Sequence, residues 1–191
     1  MQISNVRKLT DERWVNLFSA DFDNNGHKGR WVFASRKKQP HGGRSNDAVI
    51  IVPVLRSPGE APRLVMIREF RVPVGDYVIG LPAGLIDPGE GVEETVRREI
   101  REETGLEVSR IERITQPLFP SAGLTDEAAA MAFVEVRGDP KAGPHLEPSE
   151  SLEVMYLDHE QVCRLCDDQA PNVDAKAWMV LYLYQRLGTL A

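Results

Sequence analysis

Cysteine is scarce in this sequence of 191 residues: the two present are Cys163 and Cys166. A disulfide scaffold needs more, and a structural zinc site needs four ligands. Spaced by three on an expected helix, the pair reads as buried or half-buried thiols. Also missing is any apolar run approaching the roughly 18–20 residues that cross a bilayer, so no membrane partner is expected. Met1 to Lys8 has no apolar segment behind its charges, and no secretory signal is expected there. Basic residues are outnumbered, 23 against 29 acidic ones, for a formal net charge of -6. That balance argues against a general nucleic-acid surface. Internal repeats and low-complexity stretches are lacking too. Together these absences lead to the expectation of a soluble, cytoplasmic protein. What remains is an ordinary globular composition, 42% hydrophobic and 27% charged. Such a chain is long enough to bury a core without cross-links.

Residues 12–37 read as two extended segments, Trp14–Phe18 and Trp31–Ser35, around an Asn24-Asn25-Gly26 turn. A polar, basic connector runs to Arg44. Ala48–Leu55 and Arg63–Phe70 are strands of buried type around the loop Ser57–Glu60. Asp87-Pro88-Gly89-Glu90 reads as a turn into a helix of about fifteen residues that stops at Gly105. Further strands are expected at 110–117, 128–136 and 152–157, and helices near 159–168 and from Val173 to Leu187. The irregular alternation points to an α+β or α/β arrangement, a sheet between helices.

Acid is unevenly spread: Glu90 to Glu103 holds six glutamates in fourteen residues. From Gly84 the chain runs Gly-Leu-Ile-Asp-Pro-Gly-Glu-Gly-Val-Glu-Glu-Thr-Val-Arg-Arg-Glu-Ile-Arg-Glu-Glu-Thr-Gly-Leu. On a helix Glu99, Glu102 and Glu103 stand at i, i+3 and i+4, so three carboxylates crowd one face. Arg98 can pair with Glu102 one turn on, which offsets only part of the repulsion. Divalent cations would offset the rest, and Mg²⁺ prefers oxygen ligands shared with substrate phosphates. Metal held there would neutralise pyrophosphate charge and lower the pKa of an attacking water. Val96 and Ile100 would anchor the helix to the core.

The fixed positions Gly84, Glu90, Arg98, Glu99, Glu102, Glu103 and Gly105, with aliphatic Ile100 and Leu106, match the Nudix box throughout. Seven identities at ordinary residue usage coincide by chance on the order of 10⁻⁸ per start position. The chain therefore resembles the Nudix hydrolases, and the resemblance implies an α+β fold, an α/β/α sandwich with a mixed central sheet. An N-terminal β-hairpin extension is expected over residues 1–45 as a dimerisation and substrate-binding arm, with the hydrolase domain over 46–191. By the same resemblance Glu99 and Glu103 are the main metal ligands, joined by the backbone carbonyl of Ala83, with Glu102 as an additional ligand or in support. Arg98 orients those carboxylates, and Mg²⁺ is the cofactor, for which Mn²⁺ can substitute.

Outside the box the chain resembles the ADP-ribose pyrophosphatases. Leu81-Pro82-Ala83-Gly84 is similar to their entry segment and Pro120 to Glu127 to their downstream loop. Arg71 resembles a phosphate-contacting arginine. Trp14 and Trp31 resemble the pair that clamps adenine across a swapped dimer interface, with Arg36 nearby. Two positions depart from the pattern: Gly80 where many relatives have glutamate, and Ala122 in place of the loop proline. The subfamily takes its general base from an acidic loop, where Glu150 is the best match and Glu147 the next. The resemblance thus implies a homodimer that cleaves ADP-ribose to AMP and ribose 5-phosphate. The alternatives are other nucleoside diphosphate sugars, dinucleoside polyphosphates, or a ligand-sensing module that binds without cleaving.

Overall fold

Residues 1–40, 45–146, 151–168 and 171–190 are described by a computed structural model, in which the chain divides into two compact units. The first comprises Met1–Asp47 and Pro117–Ala129. Its sheet holds β1 (Gln2–Lys8), β2 (Asn16–Asn24) and β3 (His27–Ser35) in that order, all antiparallel. Asn25 and Gly26 take positive φ, 52° and 91°, as a two-residue hairpin loop requires. The expected turn is therefore in place. Directly opposed residues share a face, so the pairs Phe18–Phe33, Ala20–Trp31 and Ile3–Phe22 make one apolar side. Phe18, Ala20 and Phe33 are the buried cluster there, the two rings 5.9 Å apart. β1 was not foreseen: Gln-Ile-Ser-Asn-Val-Arg-Lys has no regular alternation, and every one of its residues is exposed.

Residues 117–129 return to this unit from far along the chain. Ala34 N–H donates to Leu124 O (2.8 Å), and Leu118 exchanges backbone bonds with Ala129.

The second unit, Ala48–Gln116 with Ala130–Ala191, is built on β4 (Ala48–Leu55), β5 (Arg63–Arg71), β6 (Asp76–Gly80), β7 (Ala83–Leu85), β8 (Glu107–Ile114), β9 (Ala129–Arg137) and β10 (Leu152–Leu157), with helices α1 (Val92–Thr104), α2 (His159–Asp167) and α3 (Ala175–Leu187). The strand order is β10-β5-β4-β9-β8, with β6 added on β5 and β7 on β4. Amides on β4's flanks donate to β9's flanks in the same chain direction, Asp47 to Ala128 and Arg56 to Val136. The two central strands are thus parallel among antiparallel neighbours, and the sheet is mixed. Pro53 sits inside β4, where a missing N–H would ordinarily break a ladder. Here β4 pairs with β7 through Ile50 and with β5 only from Val54, and Ile51 N–H bonds Pro82 O. Pro53, two residues on, faces the gap between those partners, so no donor is needed.

β4 is buried on both faces, as a strand covered by layers on either side must be. Val49, Ile51 and Leu55 share a core with Val65, with Ala132, Val134 and Val136 of β9, and with Val96 and Ile100 of α1. The other helices pack on each other, α2 also on β10 and α3 also on β6. Among the described residues no helix is long and apolar enough to cross a membrane.

Some boundaries differ from expectation. The strand expected at 110–117 lies at 107–114, and its register against β9 slips twice, between Val108 and Arg110 and between Ile111 and Arg113. Those bulges let Val108, Ile111 and Ile114, three apart, all pack on the core. Short β6 and β7 went unforeseen, and α1 has thirteen residues because the turn before it runs on to Gly91.

Candidate active site

The loop before α1 closes with Glu90 N–H bonding Asp87 O at 2.9 Å, and Glu94 folds back to accept from Gly91 N–H at 2.8 Å. Glu93 and Glu94 lie in the first turn and Arg101 in the last, which suits the helix dipole. At the far end Gly105 takes φ 71° and its N–H returns to Arg101 O. Val96 and Ile100 are fully buried, so the opposite side of the helix is turned toward β7 and its preceding loop.

On that side Arg98 organises the acids. Its Nε and Nη2 grip both oxygens of Glu90 at 3.0 Å each, and Nη1 bonds Glu99 (2.7 Å) and Glu102 (3.0 Å). Nη2 also reaches Leu85 O at 3.0 Å. A guanidinium has five N–H donors, and here all five are used. Arg98 is consequently a fixed brace. Thr95, fully buried, adds a hydroxyl bond to Glu90 at 2.8 Å. Hydrogen bonds from Arg98 and then from Thr95 hold the Glu90 carboxyl down at about 2, so it stays ionised. The same contacts, Glu90 first, push Arg98 above its ordinary value.

Glu99 and Glu103 are buried, unusual for carboxylates unless they have a task or a partner. The Glu103 Oε2 accepts from Ala83 N–H at 3.1 Å. Glu99 lies so close to Gly84 that a Cβ there would meet Glu99 Oε1 at 1.7 Å. Gly84 is thus required by the acid packed on it. Ala83, Arg98, Glu99, Glu102 and Glu103 are brought together as the sequence expects.

Among the described residues no three His, Cys, Asp or Glu side chains form a closed metal cage. The donor set still suits a hard divalent cation. Three carboxylates (Glu90, Glu99, Glu102) bond one guanidinium and a fourth, Glu103, lies one helical turn from Glu99, and Mg²⁺ is ordinarily held by one or two carboxylates plus waters and phosphate.

Arg71, at the end of β5 in this same unit, is half exposed and paired with Glu69 at 2.7 Å. Trp14, Trp31 and Arg36 belong to the first unit. Trp14 lies in a bend ahead of β2 rather than in the strand, 65% exposed, with the Arg13 guanidinium 4.4 Å over its ring. Trp31 is in β3, its indole N–H donating to Gly123 O at 3.0 Å. It lines a cavity of about 550 Å³ with Phe22, Phe33, Phe119 and Ala122, and Trp14 is not among the lining residues. Asp126 borders the same cavity, with both oxygens buried and no hydrogen bond to either. Arg36 Nε bonds Glu127 at 3.0 Å. The candidate bases Glu147 and Glu150 lie outside the described residues.

Sequence reasoning missed Glu90 and Thr95 as partners in the brace. Glu90 stands outside the helix, eight residues before Arg98, so helical periodicity could not pair them. The fixed place of both in the box was the available signal.

Comparison with known proteins places these observations among relatives. A family model described as NUDIX domain matches residues 44–179. Putative nudix hydrolase 2 of Caenorhabditis elegans is 30% identical over 82% of this chain and 72% of its own length. The ADP-ribose pyrophosphatase of Saccharomyces cerevisiae is 28% identical over 92% of this chain and 79% of its own. A crystal structure of an ADP compounds hydrolase shares the fold with TM-score 0.68 and 23% identity, covering 97% of this chain and 92% of that one.

Proposed function

The chain belongs to the NUDIX domain family, and from that membership we propose that it hydrolyses the pyrophosphate of a nucleoside diphosphate linked to another moiety, ADP-ribose foremost, giving AMP and ribose 5-phosphate. The observation that carries this is the brace: one arginine directs four of its five donors to Glu90, Glu99 and Glu102 and the fifth to Leu85 O, with Glu103 fixed by Ala83 N–H. Crowding Glu99, Glu102 and Glu103 on one face works against a bare helix. It suits a site built for a cation and a polyphosphate. The relatives, an ADP-ribose pyrophosphatase among them, support the substrate class.

Glu99, Glu103 and the Ala83 carbonyl would hold Mg²⁺, or Mn²⁺ in its place, with Glu102 in reserve on the exposed side. When bound, the cation supplies charge neutralisation on the pyrophosphate and a lowered pKa for the attacking water. Arg98 keeps the acids in position while that charge develops. Arg71 exchanges its neighbour Glu69 for a substrate phosphate, a better match for a guanidinium fork. Glu150, or failing it Glu147, takes the proton from water, as the subfamily resemblance implies. In the first unit, Trp31 and Trp14 stack the adenine and Arg36 helps hold the diphosphate. The unbonded Asp126 oxygens offer an acceptor beside Trp31 for an amino group.

The protein acts as a homodimer in this proposal. A three-stranded sheet with three buried apolar side chains has too little core to stand uncovered, while Ile3, Trp31 and Phe119 are 56%, 55% and 49% exposed. A second copy of the same sheet is the fitting cover. The net charge of -6 disfavours nucleic acid as a partner, and two free thiols suit the cytoplasm.

Glu103→Gln tests the proposal. With Mg²⁺ and ADP-ribose, turnover should fall on the order of 100-fold or more while the circular dichroism spectrum is unchanged. Undiminished activity would sink the metal assignment. A panel of nucleotide sugars and dinucleoside polyphosphates ranks the substrates, and binding without turnover across it would favour a sensing module.

A further inference from the structure

The two bulges in β8 do more than seat Val108, Ile111 and Ile114. Strict alternation would place Arg110 and Glu112 on one face of this strand and Arg113 on the other. The slips leave Ser109 and Glu112 with no residue opposite, and Arg110 and Arg113 therefore project together from the face turned away from α1. Arg113 stands opposite Phe133 and Arg110 opposite Glu135, so all four share that face. Arg56, one residue past β4, joins them through its ion pair with Glu135. The result is an open groove of about 800 Å³ lined by three arginines, two glutamates and the half-buried Phe133 ring.

We propose that this groove binds a small organic phosphate. It is positive by one charge on a chain whose net charge is -6. Arg113 has no ion pair among the described residues, and Arg110 holds only the neighbouring Glu112, at 2.9 Å, while itself 67% exposed. Exposed pairs of that kind are weak. Phosphate takes two parallel hydrogen bonds from one guanidinium, and it displaces such a glutamate readily. Phe133 provides an apolar floor for a sugar or base, and the groove falls within the volume range of small-molecule sites. No residue of the box contributes to it, so the groove stands apart from the proposed hydrolysis.

Calorimetric titration of the full chain in EDTA tests it with three probes: AMP, adenosine and inorganic phosphate. AMP should bind the groove, more weakly as salt rises, and adenosine, which Trp31 and Trp14 can stack, should give no signal that Arg113→Gln removes. Arg113→Gln and Arg110→Gln should each weaken AMP about tenfold or more. Arg113→Lys, which keeps the charge and loses the fork, should fall between. Glu103→Gln should bind AMP as the wild type does, and Arg113→Gln should keep Mg²⁺-dependent turnover. AMP binding unaffected by Arg113→Gln, or an adenosine signal that Arg113→Gln removes, would overturn the groove. Inorganic phosphate binding as tightly as AMP would overturn the organic ligand in favour of the free ion.

Discussion

Gly84 and Glu99 define each other. A methyl group at residue 84 would occupy the place of the Glu99 carboxylate, so Gly84→Ala must displace either the acid or β7, the strand that carries residue 84. The expected outcome is a loss of about 1–3 kcal/mol in urea denaturation and a fall in turnover of at least about tenfold, since a small misplacement at a site is costly. A fully active, fully stable variant would contradict the packing. Arg98 gives a pH prediction. Glu90 is depressed from 4.5 to about 2 chiefly by Arg98, so its contribution to stability is complete above about pH 4.5 and is lost as pH falls through 2. In Arg98→Gln the Glu90 carboxyl returns toward its ordinary value, and the slope of stability against pH across that window should shrink. Denaturation curves at several acid pH values read it directly. At this scale the sequence made the Arg98–Glu102 pair visible, because it is one helical turn. It hid the stronger grip on Glu90, because that residue sits in a turn whose path no periodicity describes.

α1 ends where Gly105 allows it to end. Its φ of 71° is left-handed, and a Cβ would approach Gly143 O to 2.1 Å, so Gly105→Ala carries both a backbone and a steric penalty. A loss of at least about 1–3 kcal/mol is expected, read as a lower denaturation midpoint with the slope unchanged. The glycine stop was legible, as were β4, β5, α2 and α3, whose apolar runs and caps are long and regular. Asp158 and Gln161, for instance, bond across the first turn of α2. Elements were missed where pattern fails for a physical cause. β7 has three residues and β6 five, too few to show alternation. β1 buries nothing, and β8 follows a three-residue repeat that belongs to bulges rather than to pleat.

As a whole molecule the protein is predicted to depend on a second copy. Ile3→Asp places a charge on the apolar side of the three-stranded sheet; light scattering at micromolar concentration should give a dimer for the wild type and a monomer for the variant. A monomeric wild type would count against the arrangement. The box, and the metal chemistry it implies, could be read from the sequence because it is local. The groove of Arg113 could not, since it depends on how distant segments are folded together, and neither could the grip of Arg98 on Glu90, which depends on the path of the turn before α1. The division of the first unit between Met1–Asp47 and Pro117–Ala129 also sets an order in time. Trp31 waits for Gly123, 92 residues later, and a ribosome takes on the order of ten seconds to supply the missing stretch. During those seconds Phe22, Trp31 and Phe33 have emerged without the segment that completes their unit, so the nascent chain is most exposed to wrong partners early in its synthesis.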